Sequence, residues 1–348
     1  MISPQTAENT LGLDSSQSLI TYSPAYTLVP TYECFNRCTY CNFRADPGTS
    51  PWLTMAEAKQ ELQPLTEQGV VEILILGGEV HPLSPMRKSW FTHIYDLCQL
   101  ALDRGFLPHT NVGPLSREEM SQLSQVNVSM GLMLEQLTPI LLQTVHRDAP
   151  SKKPTLRLQQ LHWAGELKIP FTTGLLLGIG ETMADREMTL KAIADCHQQW
   201  GHIQEVILQP HRIGSRQREL GEQFTSHEWV DVVTLARHIL PADVVIQIPP
   251  NLSCHPQLLL DCLTAGARDL GGIGSWDRVN PDYPHPTVGQ LHQILMEHGW
   301  QLCPRLPVYP QYIQWLPQPL LMNVMKMKES GLPLSVSGTT PHGGDSKN

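Results

Sequence analysis

Three thiols fall within one short stretch, Glu33-Cys34-Phe35-Asn36-Arg37-Cys38-Thr39-Tyr40-Cys41-Asn42, at the spacing C-x-x-x-C-x-x-C. A segment this short can wrap three sulfurs around one small object. Three thiolates leave a tetrahedral zinc shell incomplete, so a structural zinc here requires a fourth ligand from elsewhere. An iron–sulfur cube held by three cysteines keeps one iron open to further chemistry, and soft thiolates suit such clusters. On spacing alone, a zinc knuckle or a disulfide with one spare thiol also stays open.

Further groups able to do chemistry recur along the chain. Gly77-Gly78-Glu79 follows the apolar run VEILIL. Paired glycines let a ligand approach the backbone and leave amide N–H groups open, and the Glu79 carboxylate can accept from an ammonium group. An ordinary turn with a capping carboxylate is the plainer alternative. Ser129 and Glu135 bracket MGLML, where a carboxylate at a strand end suits a ribose diol and a helix-capping Glu is the plainer reading. Gly174, Gly178 and Gly180 precede Glu181. Glycines weaken a strand unless something flat, such as a ligand, must lie close to the backbone.

The elements that must position these groups follow a regular alternation. Strands are predicted at 25–32, 71–76, 107–112, 126–134, 171–179, 203–208, 244–248 and 269–273. Helical patterns lie between them at 54–68, 85–104, 116–125, 138–146, 155–167, 185–200, 226–240 and 255–265, with 288–299 closing the series. Thr54 with Glu57 forms a capping-box signature. This rhythm implies parallel strands with crossover helices. The fold class expected is α/β, a (β/α)8 TIM-type barrel or nearly complete one, with reactive groups at the C-terminal ends of the strands. A doubly wound open sheet is the alternative. The cysteine loop and Gly77-Gly78-Glu79 both fall at such ends. Residues 1–24 read as a flexible extension, 25–325 as the barrel domain and 326–348 as a polar, disordered tail, with 214–223 as a polar excursion.

Composition narrows the function classes. The 348 residues are 41% hydrophobic, and Lys+Arg 24 against Asp+Glu 33 gives a net charge of −9. That balance argues against nucleic acid and anionic membranes as partners, and 6% aromatic content argues against a base-stacking surface. The remaining cysteines, at 98, 196, 254, 262 and 303, are scattered; Cys98 and Cys196 read as buried helix thiols, Cys254 and Cys262 as core packing with a second site as the alternative, and a reducing cytosol fits best. Residues 1–24 contain neither Lys nor Arg and do not read as a secretory signal. No apolar run approaches the roughly 18 residues of a membrane span.

The cysteine loop, with aromatic Tyr40 just before its third cysteine, resembles the signature of the radical S-adenosylmethionine (SAM) superfamily. Gly77-Gly78-Glu79 resembles that superfamily's element for the methionine amino group. Residues 174–181 are similar to its G-x-I-x-G-x-x-E element beside the adenine, with Leu176 at the Ile position. The stretches ECFNRCTYCNF, SMGLMLEQL, HRDAPSKKPTLRLQQL, IPFTTGLLLGIGET, GHIQEVILQP and QIPPNLS together resemble the FO synthase subunit 1 family over residues 25–285. FO is 7,8-didemethyl-8-hydroxy-5-deazariboflavin, the chromophore of a deazaflavin redox coenzyme. Residues 210–215 (PHRIGS) depart from that family's pattern.

The resemblance implies a 4Fe–4S cluster on Cys34, Cys38 and Cys41, with SAM at the open iron. It further implies Gly77, Gly78 and Glu79 at the SAM amino group, Ser129 and Glu135 at its ribose, Gly178 beside the adenine and Tyr40 next to the cluster. Arg157 would take the methionine carboxylate through its two-pronged guanidinium, a surface helix arginine being the alternative. The implied reaction converts a 4-hydroxybenzyl adduct of a ribityl-aminouracil into FO with release of ammonia. The adduct would come from FO synthase subunit 2, and electrons from a separate reductant. A ribityl chain and a pyrimidinedione need hydrogen-bonding groups, for which Gln209, Gln247, Asn251, Trp276 and Asp277 stand at late strand ends. The competing expectations are another radical SAM enzyme (FO synthase subunit 2, an aminofutalosine-pathway enzyme or a sulfur inserter) and a zinc-stabilised binding module.

Overall fold

A computed structural model describes residues 18–217 and 224–329. Its strands are β1 (Leu19–Leu28), β2 (Glu72–Leu76), β3 (Leu107–Asn111), β4 (Ser129–Gly131), β5 (Phe171–Leu177), β6 (Ile203–Pro210), β7 (Val245–Gln247) and β8 (Asp269–Ile273). All neighbouring pairs are parallel, and β1 joins β2 on one side and β8 on the other, closing an eight-stranded barrel. Alternation decides the faces. Along β2, Ile73 and Ile75 are fully buried in the main apolar core, while Glu72, Leu74 and Leu76 face the central cavity.

The crossover helices are α1 (Met55–Leu62), α2 (Arg87–Asp103), α3 (Arg117–Leu123), α4 (Pro154–Glu166), α5 (Met183–Trp200), α6 (Ser226–Ile239), α7 (Pro256–Thr264) and α8 (Val288–Glu297). Their starts are written locally. Capping boxes at Thr54/Glu57, Ser116/Glu119, Thr182/Asp185, Thr225/Glu228 and Thr287/Gln290 satisfy N-terminal amides that would otherwise lack partners. Gly201 ends α5 in the left-handed conformation, at φ 65°.

Several boundaries differ from expectation. β1 begins at Leu19 because its first half pairs with an unanticipated strand, β9 (Gln301–Pro304), outside the barrel. β4 keeps only three residues, since the chain leaves the sheet towards Glu135, whose φ is 65°. The helix expected at 138–146 is a 3₁₀ turn at Pro139–Gln143. Beyond β9, a further 3₁₀ turn (Pro310–Trp315) and α9 (Gln318–Glu329) cap the lower mouth of the barrel. Val308, Tyr312, Ile313 and Leu320 form a separate apolar cluster there with Val71, Leu107 and Val128. Residues 1–17 of the expected extension, 218–223 of the excursion and 330–348 of the tail lie outside the described residues.

Candidate active site

The cysteine loop leaves the upper end of β1 and is tied down on several sides. The Cys34 N–H donates to the Ala45 carbonyl at 3.1 Å, that of Arg37 to Asp148 at 2.8 Å and that of Thr39 to Val145 at 3.1 Å. The Cys41 N–H closes a turn onto the Cys38 carbonyl at 3.2 Å. All three thiols are free and half-buried. Burial, with Glu79 nearby, raises the Cys34 thiol, and burial pushes the Cys38 thiol up to about 12. Metal-free, these two sulfurs keep their protons, so loading a cationic centre must release them. Among the described residues no three His, Cys, Asp or Glu side chains converge as a single ion requires. A 4Fe–4S cube bonds each cysteine to a different iron, so a reduced thiol trio on one anchored loop fits it without such convergence.

Glu79, at the end of β2, is locked to this loop. Its backbone carbonyl accepts from Phe35 at 3.0 Å. Its carboxylate accepts from Asn36 Nδ2 at 2.9 Å and from Arg157 at 3.3 Å. Asn36 also donates to Ser151 at 2.9 Å and contacts the Cys34 sulfur at 3.7 Å. Gly77 lines the central cavity, whereas Gly78 is packed against the chain itself. A Cβ on Gly78 would lie 2.1 Å from the Glu33 carbonyl oxygen, and its N–H already donates to Thr31 at 2.8 Å. What approaches this backbone closely is the cysteine loop itself.

Arg157 is a buried residue, 2% exposed, so the surface-helix alternative fails. Its guanidinium is spent on Glu79, on the Ser151 carbonyl at 3.2 Å and on the Met133 carbonyl. Glu135 is paired with Lys152 and lies 4.0 Å from Arg157. Burial pushes the Glu135 carboxyl up, but the charges of Lys152 and Arg157 outweigh it and hold the group below the usual range. Tyr40 meets His146 Nε2 at 2.8 Å and packs edge-on to the His146 and His211 rings.

Tyr40 and Cys41 stand at one end of a cavity of about 390 Å³ that runs down the barrel axis. Gly77, Glu79, Glu135 and Arg157 line its upper part, and Gln209, Gln247, Asn251, Trp276 and Asp277 line it as well. Asn251 donates to Asp277 at 2.8 Å, and Asp277 also accepts the Val279 and Asn280 amides. Trp276 is 62% exposed at the rim.

Three expected cofactor residues, Gly78, Ser129 and Gly178, do not line this cavity. Ser129 is fully buried towards the lower mouth, donating to the Pro307 carbonyl at 2.6 Å and meeting His109 at 2.7 Å. It does not line the cavity, because alternation and the short β4 turn it down and inward. Gly178 is a turn residue at φ 82°, and a Cβ on it would lie 2.6 Å from Phe224. A Cβ on Gly174 would lie 2.3 Å from the Ile207 carbonyl oxygen. Glu181 caps this turn through the Gly178 and Ile179 amides and pairs with Arg186 at 2.7 Å. Gly174 and Gly178 therefore answer to protein packing, whereas a Cβ on Gly180 would meet only Leu141, at 3.6 Å.

Lys152, Asn36 and His146 were not anticipated. Lys152 sits in the polar run SKKP, where nothing periodic marks one lysine as half-buried and paired with Glu135. Residues 214–217 pack on the cysteine loop: the Arg216 amide donates to Asn42 at 2.8 Å, and Gln217 donates to the Tyr40 carbonyl at 2.6 Å.

A parallel barrel with a trio of thiols at its upper mouth defines a class, and residues 28–193 match the radical SAM superfamily. The fold agrees with solved structures of low identity. The FeFe-hydrogenase maturase HydG from Carboxydothermus hydrogenoformans superposes with a TM-score of 0.69 at 17% identity, covering 88% of this chain and 76% of that one. Methylornithine synthase gives a TM-score of 0.61 at 14% identity, covering 82% and 84%. Relatives in sequence are far nearer. The 7,8-didemethyl-8-hydroxy-5-deazariboflavin synthase of Trichodesmium erythraeum is 61% identical over 86% of this chain and 94% of its own length. That of Synechococcus elongatus is 62% identical over 88% and 91%. The chain belongs to the 7,8-didemethyl-8-hydroxy-5-deazariboflavin (FO) synthase family of radical SAM enzymes.

Proposed function

We propose that this enzyme forms FO from the 5-amino-5-(4-hydroxybenzyl)-6-(D-ribitylimino)-5,6-dihydrouracil adduct with release of ammonia, as a lyase of deazaflavin coenzyme biosynthesis. The observation that carries the reading is a single cavity lined both by Cys41 and the acidic end of β2 and by a polar wall suited to a pyrimidinedione. Cys34, Cys38 and Cys41 would hold the 4Fe–4S cluster. When bound, cluster and SAM supply a 5′-deoxyadenosyl radical able to remove a hydrogen atom from the substrate.

The chain's own residues bind, orient and exclude water. In this reading Glu79 accepts from the SAM ammonium group. Its support is the clamp of Asn36 and Arg157, which fixes the carboxylate before any ligand arrives. Arg157 acts as a positioning residue for Glu79 and Glu135, its donors being engaged by protein. Glu135 takes the ribose hydroxyls, kept ionised by Lys152. Tyr40, held by His146, covers the cluster side of the cavity. Gln209, Gln247, Asn251, Trp276 and Asp277 receive the uracil. FO synthase subunit 2 is the proposed source of adduct and an external reductant the source of electrons. The eight free cysteines support a reducing cytoplasmic setting. Among the described residues no helix is long and apolar enough to cross a membrane.

Anaerobic reconstitution, followed by SAM and the adduct, is expected to give 5′-deoxyadenosine together with fluorescent FO. Adduct-independent SAM cleavage without FO, or FO only when tyrosine and the diaminouracil replace the adduct, would sink this assignment.

A further inference from the structure

The lower half of the cavity is polar, where barrels of this kind are ordinarily filled by branched apolar side chains. Above that floor the shaft is kept open by small residues. Gly272 lies so near Ala25 that a Cβ on it would sit 3.0 Å from the Ala25 side chain, and both residues line the cavity.

Most acids on the floor are matched. Asp269 accepts from Arg305 at 2.8 Å, from the Gly271 amide at 2.6 Å and from Thr21. Glu205 accepts from Arg305 at 2.8 Å and from Tyr309 at 3.3 Å, and the Gln247 amide, turned so that its nitrogen faces the carboxyl, donates to it at 3.1 Å. Glu72 is different. It opens β2 on the inward face, below Leu74 and Leu76, and is 7% exposed. The Ser23 hydroxyl lies beside its carboxyl, itself buried without a partner in ordinary hydrogen-bond geometry. Burial raises the carboxyl's pKa, and the Arg305 and Asp269 charges act on it with opposite signs, Arg305 lowering and Asp269 raising it. A buried carboxyl with so little satisfaction is costly to the fold. Keeping one at the bottom of an open shaft makes physical sense when a ligand completes it.

We propose that Glu72 is the end-recognition group of a polyol well: the ribityl chain of the substrate descends the shaft and its hydroxyls bond to Glu72. The inference rests on the function proposed above. Hydroxyls suit the position because each both donates and accepts, and so satisfies a carboxyl in either protonation state. Leu74 and Leu76, above Glu72 on the same strand, offer apolar wall to the rings, not to a polyol. The substrate therefore stands with its chain down and its hydroxybenzyl end towards the cysteine mouth.

The test is calorimetric binding to the reconstituted full chain of two probes, 5-amino-6-ribitylaminouracil and its counterpart carrying methylamino in place of ribitylamino. The wild-type chain is expected to prefer the ribityl probe by on the order of tenfold or more. Glu72→Leu should bring that ratio close to one, and Glu72→Gln should leave an intermediate preference. Neither should alter binding of the methylamino probe. An unchanged ratio in Glu72→Leu, a wild-type chain that does not discriminate, or parallel weakening of both probes with a fall in urea stability would each overturn the well. FO formation by the wild-type chain reports separately on the proposed function. FO without a shifted ratio removes only the well, and a shifted ratio without FO removes only the assigned reaction.

Discussion

At the lower mouth of the barrel, Arg305 reaches from the segment after β9 to Asp269 and Glu205, both at 2.8 Å. Gln204 and Ser129 donate to the Pro307 carbonyl at 3.1 and 2.6 Å, and an apolar cap seals what remains. At the upper mouth, three thiols stay half-buried without disulfides, and Glu79 and Glu135 are gripped by cations yet still border the cavity. Below, Glu72 apart, the acids are spent on Arg305 and its neighbours. Above, they are fixed from behind and left free in front. The contrast separates polar residues that hold the barrel shut from those prepared for a ligand.

The largest effect that would sharpen this contrast is at the thiols. Replacing Cys34, Cys38 or Cys41 singly by Ser is expected to abolish iron and sulfide uptake and SAM cleavage. The urea stability of the metal-free protein should stay within about 1 kcal/mol, since no buried apolar contact is lost. A comparable loss of stability would mean that the upper mouth, too, is structural.

The opposite pattern is expected for Arg305→Ala. Two buried carboxyls would lose their shared cation, and breaking such a group by removing one partner costs about 3–5 kcal/mol. Urea unfolding of the metal-free chain measures it. A cost below about 1 kcal/mol would erase the distinction between the mouths.

A smaller effect tests how the upper loop is seated. Gly78→Ala puts a Cβ against the Glu33 carbonyl at 2.1 Å, whereas the nearest atom for Gly77→Ala is 3.3 Å away. The first substitution should cost about 1–3 kcal/mol through overpacking and lower the iron content, and the second should cost clearly less. Equal costs would show that the loop yields, and that its close approach to β2 does not set its position.

The same two regions explain what could be read in the chain. The upper mouth was legible because its chemistry is concentrated in short motifs: the thiol spacing, Gly77-Gly78-Glu79 and the barrel rhythm all coincide at strand ends. The reasons assigned to individual residues were less legible. Gly78 and Gly178 answer to the Glu33 carbonyl and Phe224, contacts made across the sequence that no local pattern encodes. Ser129 shows the cost of placing a strand's end too late: with β4 only three residues long, its hydroxyl turns to Pro307. The lower cap was not anticipated, since Pro304, Pro307, Pro310, Pro317 and Pro319 interrupt any periodicity there. Arg305, a key residue of that cap, is an unremarkable arginine until the fold brings Asp269 and Glu205 to it.

The smallest effect probes the protonation of the lower cluster. Glu205 is pushed well above the usual range by burial, with Asp269 adding to the rise and Arg305 opposing it. Asp269 is pushed up by burial too, but Arg305 outweighs this and holds it below its ordinary 3.8. The signs are opposite. Asp269 contributes stability above its unfolded value that is lost as pH falls through the depressed one. Glu205 retains a proton in the fold that the unfolded chain gives up above 4.5, so stability declines as pH rises from there towards the raised value. Glu72, raised mainly by burial, adds to the same slope, while the Tyr309 hydroxyl is pushed well above its ordinary 10.0. Glu205→Gln mimics the protonated acid. It should change stability at about pH 5 by less than about 1 kcal/mol and flatten the decline between about pH 5 and 8 without removing it, because Glu72 remains. Urea midpoints measured across that range give the slope. A slope left intact would put the retained proton elsewhere and leave Glu205 ionised beside Asp269, with Arg305 shared between two negative charges. The lower acids would then not be fully matched by their neighbours, and the contrast with the upper mouth would weaken.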